Sequence, residues 1–107
     1  MSDENIQLVR NAAQQRILFS RHALIQMNRP ERMISTDEVR DVILNGEIIE
    51  DYPTDPRGHS MLIFGSAEIN RPLHVVCSPK EDYLAIITAY LPDPDEWGDN
   101  FTKRVKK

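Results

Sequence analysis

The chain is expected to fold as a single α+β domain, with two to three helices in its first half packed on one face of a four-stranded, mainly antiparallel sheet in its second. Three observations carry this. Apolar residues recur at helical spacing as far as Asn45 and at extended spacing after Gly46. Short, turn-rich segments join the extended stretches, which favours antiparallel neighbours. A length of 107 residues, 40% of them hydrophobic, suits one core and not two.

The first helix is predicted over Asp3 to Gln15, where Ile6, Val9, Ala13 and Ile17 follow helical spacing. Ile17-Leu18-Phe19 reads as a short extended link or strand. Ser20 is then placed to cap a helix from Arg21 to Asn28 that turns Ala23, Leu24 and Met27 inward, with Pro30 ending it. Ser35 followed by Glu38 is a capping box for a helix over Thr36 to Asn45, whose inner face is Val39, Val42 and Ile43. Asn45-Gly46 predicts a left-handed terminus.

Strands are expected at Glu47–Tyr52, Ser60–Ser66, Leu73–Ser78 and Tyr83–Leu91. Their connections are the Pro53-to-Gly58 segment, Glu68-Ile69-Asn70-Arg71, and a type I turn with Pro79 in second position. The apolar run Leu84 to Ala89 predicts a central strand, which a helix layer covers on one face. Pro92 and Pro94 end the sheet, and Trp97 is expected to fold back as an apolar plug. The domain is drawn over residues 1–100, with 101–107 as a basic tail.

Charge narrows the partners. Net charge is −4, and the tail from Phe101 to Lys107 contributes +4, which leaves −8 on residues 1–100. An isoelectric point near 5.3 argues against broad, electrostatically driven nucleic-acid binding, so any RNA contact must be local. The tail itself is either a solvated end or a phosphate or acidic-partner contact. No apolar run reaches the length of a membrane span and the N-terminus lacks a signal core, so the expectation is a cytoplasmic protein without membrane contact. Cys77 stands alone in an apolar run and reads as a small buried hydrophobe.

No phosphate-binding glycine loop, nucleophile elbow, paired cysteine or helical histidine pair is present, so a site must come from scattered polar residues. Strand alternation puts His74 opposite Leu73, Val75 and Cys77, on an open face if that set faces the helices. Leu84, Ile86, Thr88 and Tyr90 share a face by the same reasoning. His74, Tyr90 and Thr88, with Arg57 and His59 at the edge, supply the elements of metal-free RNA cleavage. These are a base for the ribose 2′-hydroxyl, a guanidinium for the phosphorane and an acid for the leaving oxygen. His74, His59, Arg57 and Tyr90 are therefore the catalytic candidates, and Arg71, His22, Thr88 and Lys80 the substrate-binding ones. Each also has a purely structural reading: His22 as a helix-start hydrogen-bonding residue, Tyr90 as a packed aromatic, Arg57 as an ion-paired surface residue. A metal site from His22, His59, His74 and Cys77 would need four elements to converge, so neither metal nor cofactor is expected.

The stretches Ser20-Arg21-His22-Ala23, Asn45-Gly46-Glu47-Ile48-Ile49-Glu50-Asp51-Tyr52-Pro53, Arg57-Gly58-His59-Ser60, Arg71-Pro72-Leu73-His74-Val75-Val76 and Ile87-Thr88-Ala89-Tyr90-Leu91-Pro92-Asp93, closed by Trp97, resemble the small prokaryotic domain-of-unknown-function family 4258. That family is similar in layout to the RelE/ParE and BrnT toxin superfamily. The resemblance implies a RelE-like fold with a curved sheet, and an mRNA endoribonuclease toxin of a type II toxin-antitoxin pair. It implies a zinc-finger-type antitoxin as partner besides mRNA, with a homodimer also considered. Family motifs fall on His22, Glu50, Tyr52, Arg57, Ser60, His74, Tyr90 and Trp97. RelE-like ribonucleases are usually basic, and the acidic body departs from that pattern. The alternatives are a non-catalytic interaction module of the same fold, using the sheet face or an edge strand, and an enzyme acting on a small phosphorylated metabolite.

Overall fold

In a computed structural model, residues 3–67 and 71–105 are described. Helix α1 (Asp3–Gln15) has the predicted bounds and buries Val9 and Ala12 against the sheet. Strand β1 (Ile17–Phe19) follows, then α2 (Arg21–Met27), α3 (Thr36–Asn45) and strands β2 (Glu47–Tyr52), β3 (Ser60–Ala67), β4 (Arg71–Pro79) and β5 (Leu84–Tyr90). A two-stranded ribbon, β6 (Trp97–Gly98) with β7 (Lys103–Arg104), closes the chain.

The sheet has five strands in the order β1-β5-β4-β3-β2, not the four expected. β2 to β5 form the predicted antiparallel meander, and β1 joins β5 in parallel, pairing Ile17 with Leu84 and Phe19 with Ile86. Three residues are too few to show alternation, so only pairing identifies β1 as a strand. The Leu84 amide donates to the Arg16 carbonyl at 2.7 Å, and the Ser20 amide to that of Ile86 at 3.1 Å.

Ser20 caps α2 as predicted, its hydroxyl oxygen accepting from the Ala23 amide at 2.9 Å, and it also donates to the Ile87 carbonyl at 3.1 Å. Ala23 and Met27 point inward, but Leu24, expected beside them, is 39% exposed. The capping box of α3 forms with both reciprocal bonds, at 3.1 Å and 3.0 Å. Its predicted left-handed end does not: Gly46 is extended, with φ −85°. Glycine is required there by close approach, since a Cβ would lie 2.5 Å from the Phe64 carbonyl oxygen and 2.6 Å from that of Val42.

Two β-bulges redirect side chains. Ile49 is the extra residue of β2 and Ile87 that of β5. Because of the second, Leu84 and Ile86 lie in the core with Ala89, whereas Thr88 and Tyr90 emerge on the other face, opposite Val76 and His74. The single face expected for these four strand residues is thus split in two. β4 also runs on through Pro79, which pairs with Leu84, and the turn is closed by the Lys80 amide donating to the Tyr83 carbonyl at 2.8 Å. Pro79 is therefore the last strand residue and not the second residue of the turn. The Glu68-Ile69-Asn70 connection and Lys106 and Lys107 of the tail lie outside the described residues.

The helices pack on one face of the sheet, where Val9, Met27, Val39, Ile43, Met61, Ile63, Val75, Cys77 and Ile86 are among the core residues. Cys77 lies inside it, burial pushing its thiol up to about 12.

Arg71, a substrate-binding candidate, is instead a fastener between β4 and the start of α3. Its guanidinium donates to both oxygens of Glu38 at 2.9 Å and to the Arg32 carbonyl at 2.5 Å. Glu38 is 5% exposed. Its burial, which raises the pKa, is outweighed by the Ser35 amide and Arg71, so the carboxyl titrates below its ordinary value. Arg71→Ala should therefore cost about 2–4 kcal/mol by leaving a buried carboxylate without its cation. Arg40→Ala, at the exposed pair with Asp37, should cost less than about 0.5 kcal/mol. Urea midpoints check both. Because the folded pKa of Glu38 is depressed, its contribution is complete above the unfolded value of about 4.3 and is lost as pH falls through the folded value. The acid limb of the stability curve should accordingly flatten in the variant.

Candidate functional site

The residues proposed from sequence separate: Arg57, His59 and Lys80 lie at one edge and His74, Thr88 and Tyr90 on the sheet face, while Arg71 and His22 stand apart from both. Ser60 and Phe64 lie four residues apart on β3, and His74 is opposite Phe64. The loop carrying Arg57 and His59 is therefore about 13 Å or more along the strands from His74. No single centre contains them.

At the edge, Asp55 organises the loop. It accepts two bonds from the Arg57 guanidinium at 3.0 Å, one from the Arg57 amide at 2.9 Å and one from the Ser60 hydroxyl at 2.6 Å, and these hold its carboxyl well below the usual range. His59 pairs with Asp51, and the Ser78 hydroxyl donates to the His59 carbonyl at 2.7 Å. Lys80 reaches the Arg57 carbonyl at 2.5 Å. Gly58 sits at φ +106° beneath it, where a Cβ would lie 2.5 Å from the lysine nitrogen. Arg57 thus spends its charge on Asp55 and His59 is held by Asp51, as in a loop-stabilising set.

His74 does lie on the face away from the helices, but that face is covered there. It is fully buried, edge-on to Trp97 with centroids 4.5 Å apart and to Phe64 at 5.8 Å. Its Nε2–H donates to the Phe101 carbonyl at 2.8 Å, so Nδ1 is the acceptor for the Tyr90 hydroxyl at 3.2 Å. Burial lowers its pKa, only partly offset by the Phe101 carbonyl and Glu50. Both nitrogens have partners and the ring is buried, so in this structure His74 positions groups.

The cover is formed by Trp97 to Arg104, the end of the segment drawn as domain together with the start of the one drawn as tail. Asp99, Asn100 and Phe101 all have positive φ, at 53°, 61° and 68°, a left-handed run that costs about 1 kcal/mol or more per residue. It turns the Phe101 carbonyl onto His74. Trp97 is the predicted plug, 5% exposed. Arg104 lies over its ring at 4.7 Å and grips Glu50 through two bonds, at 2.8 Å and 3.0 Å.

Around this cover is a partly exposed polar group on the same face. Glu50 also accepts from the Tyr52 hydroxyl. Burial, which raises the pKa of Glu50, is outweighed by Arg104 and Tyr52, so its carboxylate stays ionised. Burial and Glu50 push Tyr52 up to about 12, and burial raises Tyr90. Thr88 is half-buried on this face, whereas His22 is exposed on α2, on the helix side. Glu50 and Arg104 were absent from the residues proposed from sequence. A family motif marked Glu50, but nothing local marks Arg104, whose pairing spans 54 positions. Among the described residues no three His, Cys, Asp or Glu side chains group to hold a metal ion, and no helix is long and apolar enough to cross a membrane.

A family model described as a domain of unknown function (DUF4258) matches residues 19–91. The match runs from the end of β1 to just past β5 and stops before the Trp97–Arg104 cover. No curated protein and no solved structure matches the chain.

The tautomer and titration of His74 test this arrangement. Its folded pKa is depressed below the unfolded value of about 6.5, so its contribution to stability is complete above that value and declines as pH falls towards the folded one. Nitrogen-15 NMR of the imidazole should show a neutral Nε2–H ring at pH 6, and stability should fall between pH 7 and pH 5. A ring already charged at pH 6 would contradict the acceptance of the Tyr90 hydroxyl by Nδ1.

Proposed function

The chain belongs to the DUF4258 family, and on that premise we propose that it is a metal-independent RNA endonuclease of RelE-like type, the toxin of a type II toxin-antitoxin pair. Its reaction centre is the Glu50–Arg104 face. The observation that carries this reading is the convergence of a carboxylate, a guanidinium and two phenols on one partly exposed sheet face. Resemblance of the family in layout to the RelE/ParE and BrnT toxins, with helices packed on a mainly antiparallel sheet, supports it; mRNA and a zinc-finger-type antitoxin are the partners it implies.

The chemistry follows from exchange of partners. An RNA phosphate competes with Glu50 for Arg104. Once the guanidinium has moved to phosphate, Glu50 loses the larger influence holding its pKa down and becomes a better base, because burial then dominates. It takes the proton of the ribose 2′-hydroxyl, the 2′-oxygen bonds to phosphorus, and the bond from phosphorus to the 5′-oxygen breaks. Arg104 stabilises the phosphorane charge. Tyr90 turns its proton from His74 Nδ1 to the leaving oxygen, the phenolate and the protonated Glu50 return to their starting forms through water, and the products are a 2′,3′-cyclic phosphate and a 5′-hydroxyl. His74 thereby changes role, from acid or base to positioning residue.

The second reading is the non-catalytic interaction module. It is favoured by the commitment of Arg104 to Glu50, which leaves the cation of this face already paired with a carboxylate and not free for phosphate.

Incubation of the purified chain with single-stranded RNA decides between them. Cleavage in the presence of EDTA should yield cyclic-phosphate ends, and Glu50→Gln and Arg104→Ala should each lower the rate about 100-fold or more. Cleavage lost in EDTA overturns the mechanism. A folded wild type that leaves the RNA whole and the host growing normally favours the interaction module.

A further inference from the structure

The two edges of the sheet are unlike. β2, at one edge, is bulged at Ile49 and carries Glu47 and Asp51 exposed, the features by which edges resist added strands. β1, at the other, is Ile17-Leu18-Phe19, with no charge, proline or bulge. In its parallel ladder Arg16 and Ser20 bond to β5, and alternation adds Leu18 to that set. The amides and carbonyls of Ile17 and Phe19 therefore point to the side where, among the described residues, no strand lies. Leu18 is 43% exposed, and α2, which starts two residues on, exposes Leu24 and 56% of Ile25.

The charged residues that flank β1 along the chain are of one sign. Arg16 precedes β1 and Arg21 follows it, with Arg29 just beyond α2; all three are exposed. Among the described residues none is within ion-pair distance of a carboxylate. Elsewhere Arg40, Arg57, Arg71 and Arg104 all have an acidic partner. Two copies meeting edge to edge would bring Arg16 and Arg21 of each together, which opposes self-pairing.

We infer that the open edge of β1 is a docking site for an extended, acidic and apolar segment of another protein. The segment adds a sixth strand: its backbone pairs with Ile17 and Phe19, its apolar side chains meet Leu18 and Ile25, and its carboxylates meet Arg16 and Arg21. The site is on the far side of β5 from Glu50 and does not depend on the RNA reading.

The test uses two synthetic peptides of about ten residues, one alternating Glu with Val and Ile and the other Lys with Val and Ile, titrated into the nitrogen-15-labelled chain. The acidic peptide should shift the Ile17, Leu18 and Phe19 amides saturably and slow their hydrogen exchange. The lysine peptide should not, and Arg16→Glu/Arg21→Glu should weaken binding about tenfold or more while leaving the rest of the spectrum in place. Equal binding of both peptides, shifts confined to β2 or the Trp97 face, or a concentration-dependent dimer through β1 would each overturn the inference.

Discussion

A histidine ring buried in a sheet must find a partner for each nitrogen, and the second face of this protein is organised around that requirement. An unsatisfied buried nitrogen costs about 1–3 kcal/mol. Tyr90 supplies one partner from the adjacent strand, but the other comes from the Phe101 carbonyl, 27 positions away. That bond sets where the chain must return after β5. The left-handed run at Asp99 to Phe101 aims the carbonyl, Trp97 seals the ring from water, and Arg104 arrives over Glu50.

Three arginine–carboxylate pairs repeat one device at different scales. Arg57 with Asp55 closes a loop two positions wide, Arg71 with Glu38 joins a strand to a helix start, and Arg104 with Glu50 joins the last ribbon to an edge strand. They differ in solvent access, and that decides what each can do. Glu38 is nearly sealed and serves stability. Arg57 and Arg104 have 64% and 62% of their side chains exposed, and of the two only Arg104 also lies over an aromatic ring, that of Trp97.

Ser20 shows how one local signal serves two levels. Its hydroxyl caps α2, a role legible from the residues that follow it, and it also binds the carbonyl of the bulge at Ile87, which is not legible. That bulge turns Thr88 and Tyr90 away from the core and brings Tyr90 to His74. Alternation alone put Tyr90 beside Leu84 and Ile86, because a one-residue insertion in a ladder leaves no compositional trace when the surrounding residues are all apolar or small. The same applies to Ile49. The edge contrast between β1 and β2 needed both sources: composition shows which strand is charged, and pairing shows which strands are edges.

Composition, spacing and caps by themselves determined one α+β domain, the bounds of α1 and α3, the antiparallel meander, the buried Cys77 and the return of Trp97. All of these depend on residues within a few positions of one another or on the period of the apolar pattern, and such short-range preferences are written directly in the chain. The tertiary structure alone decided that β1 is a fifth strand, that the candidate residues do not share one centre, that His74 is covered, and that Arg104 meets Glu50. These depend on contacts between residues tens of positions apart. Their energy comes from burial and from hydrogen-bond satisfaction in the folded state, and neither exists until the sheet has formed.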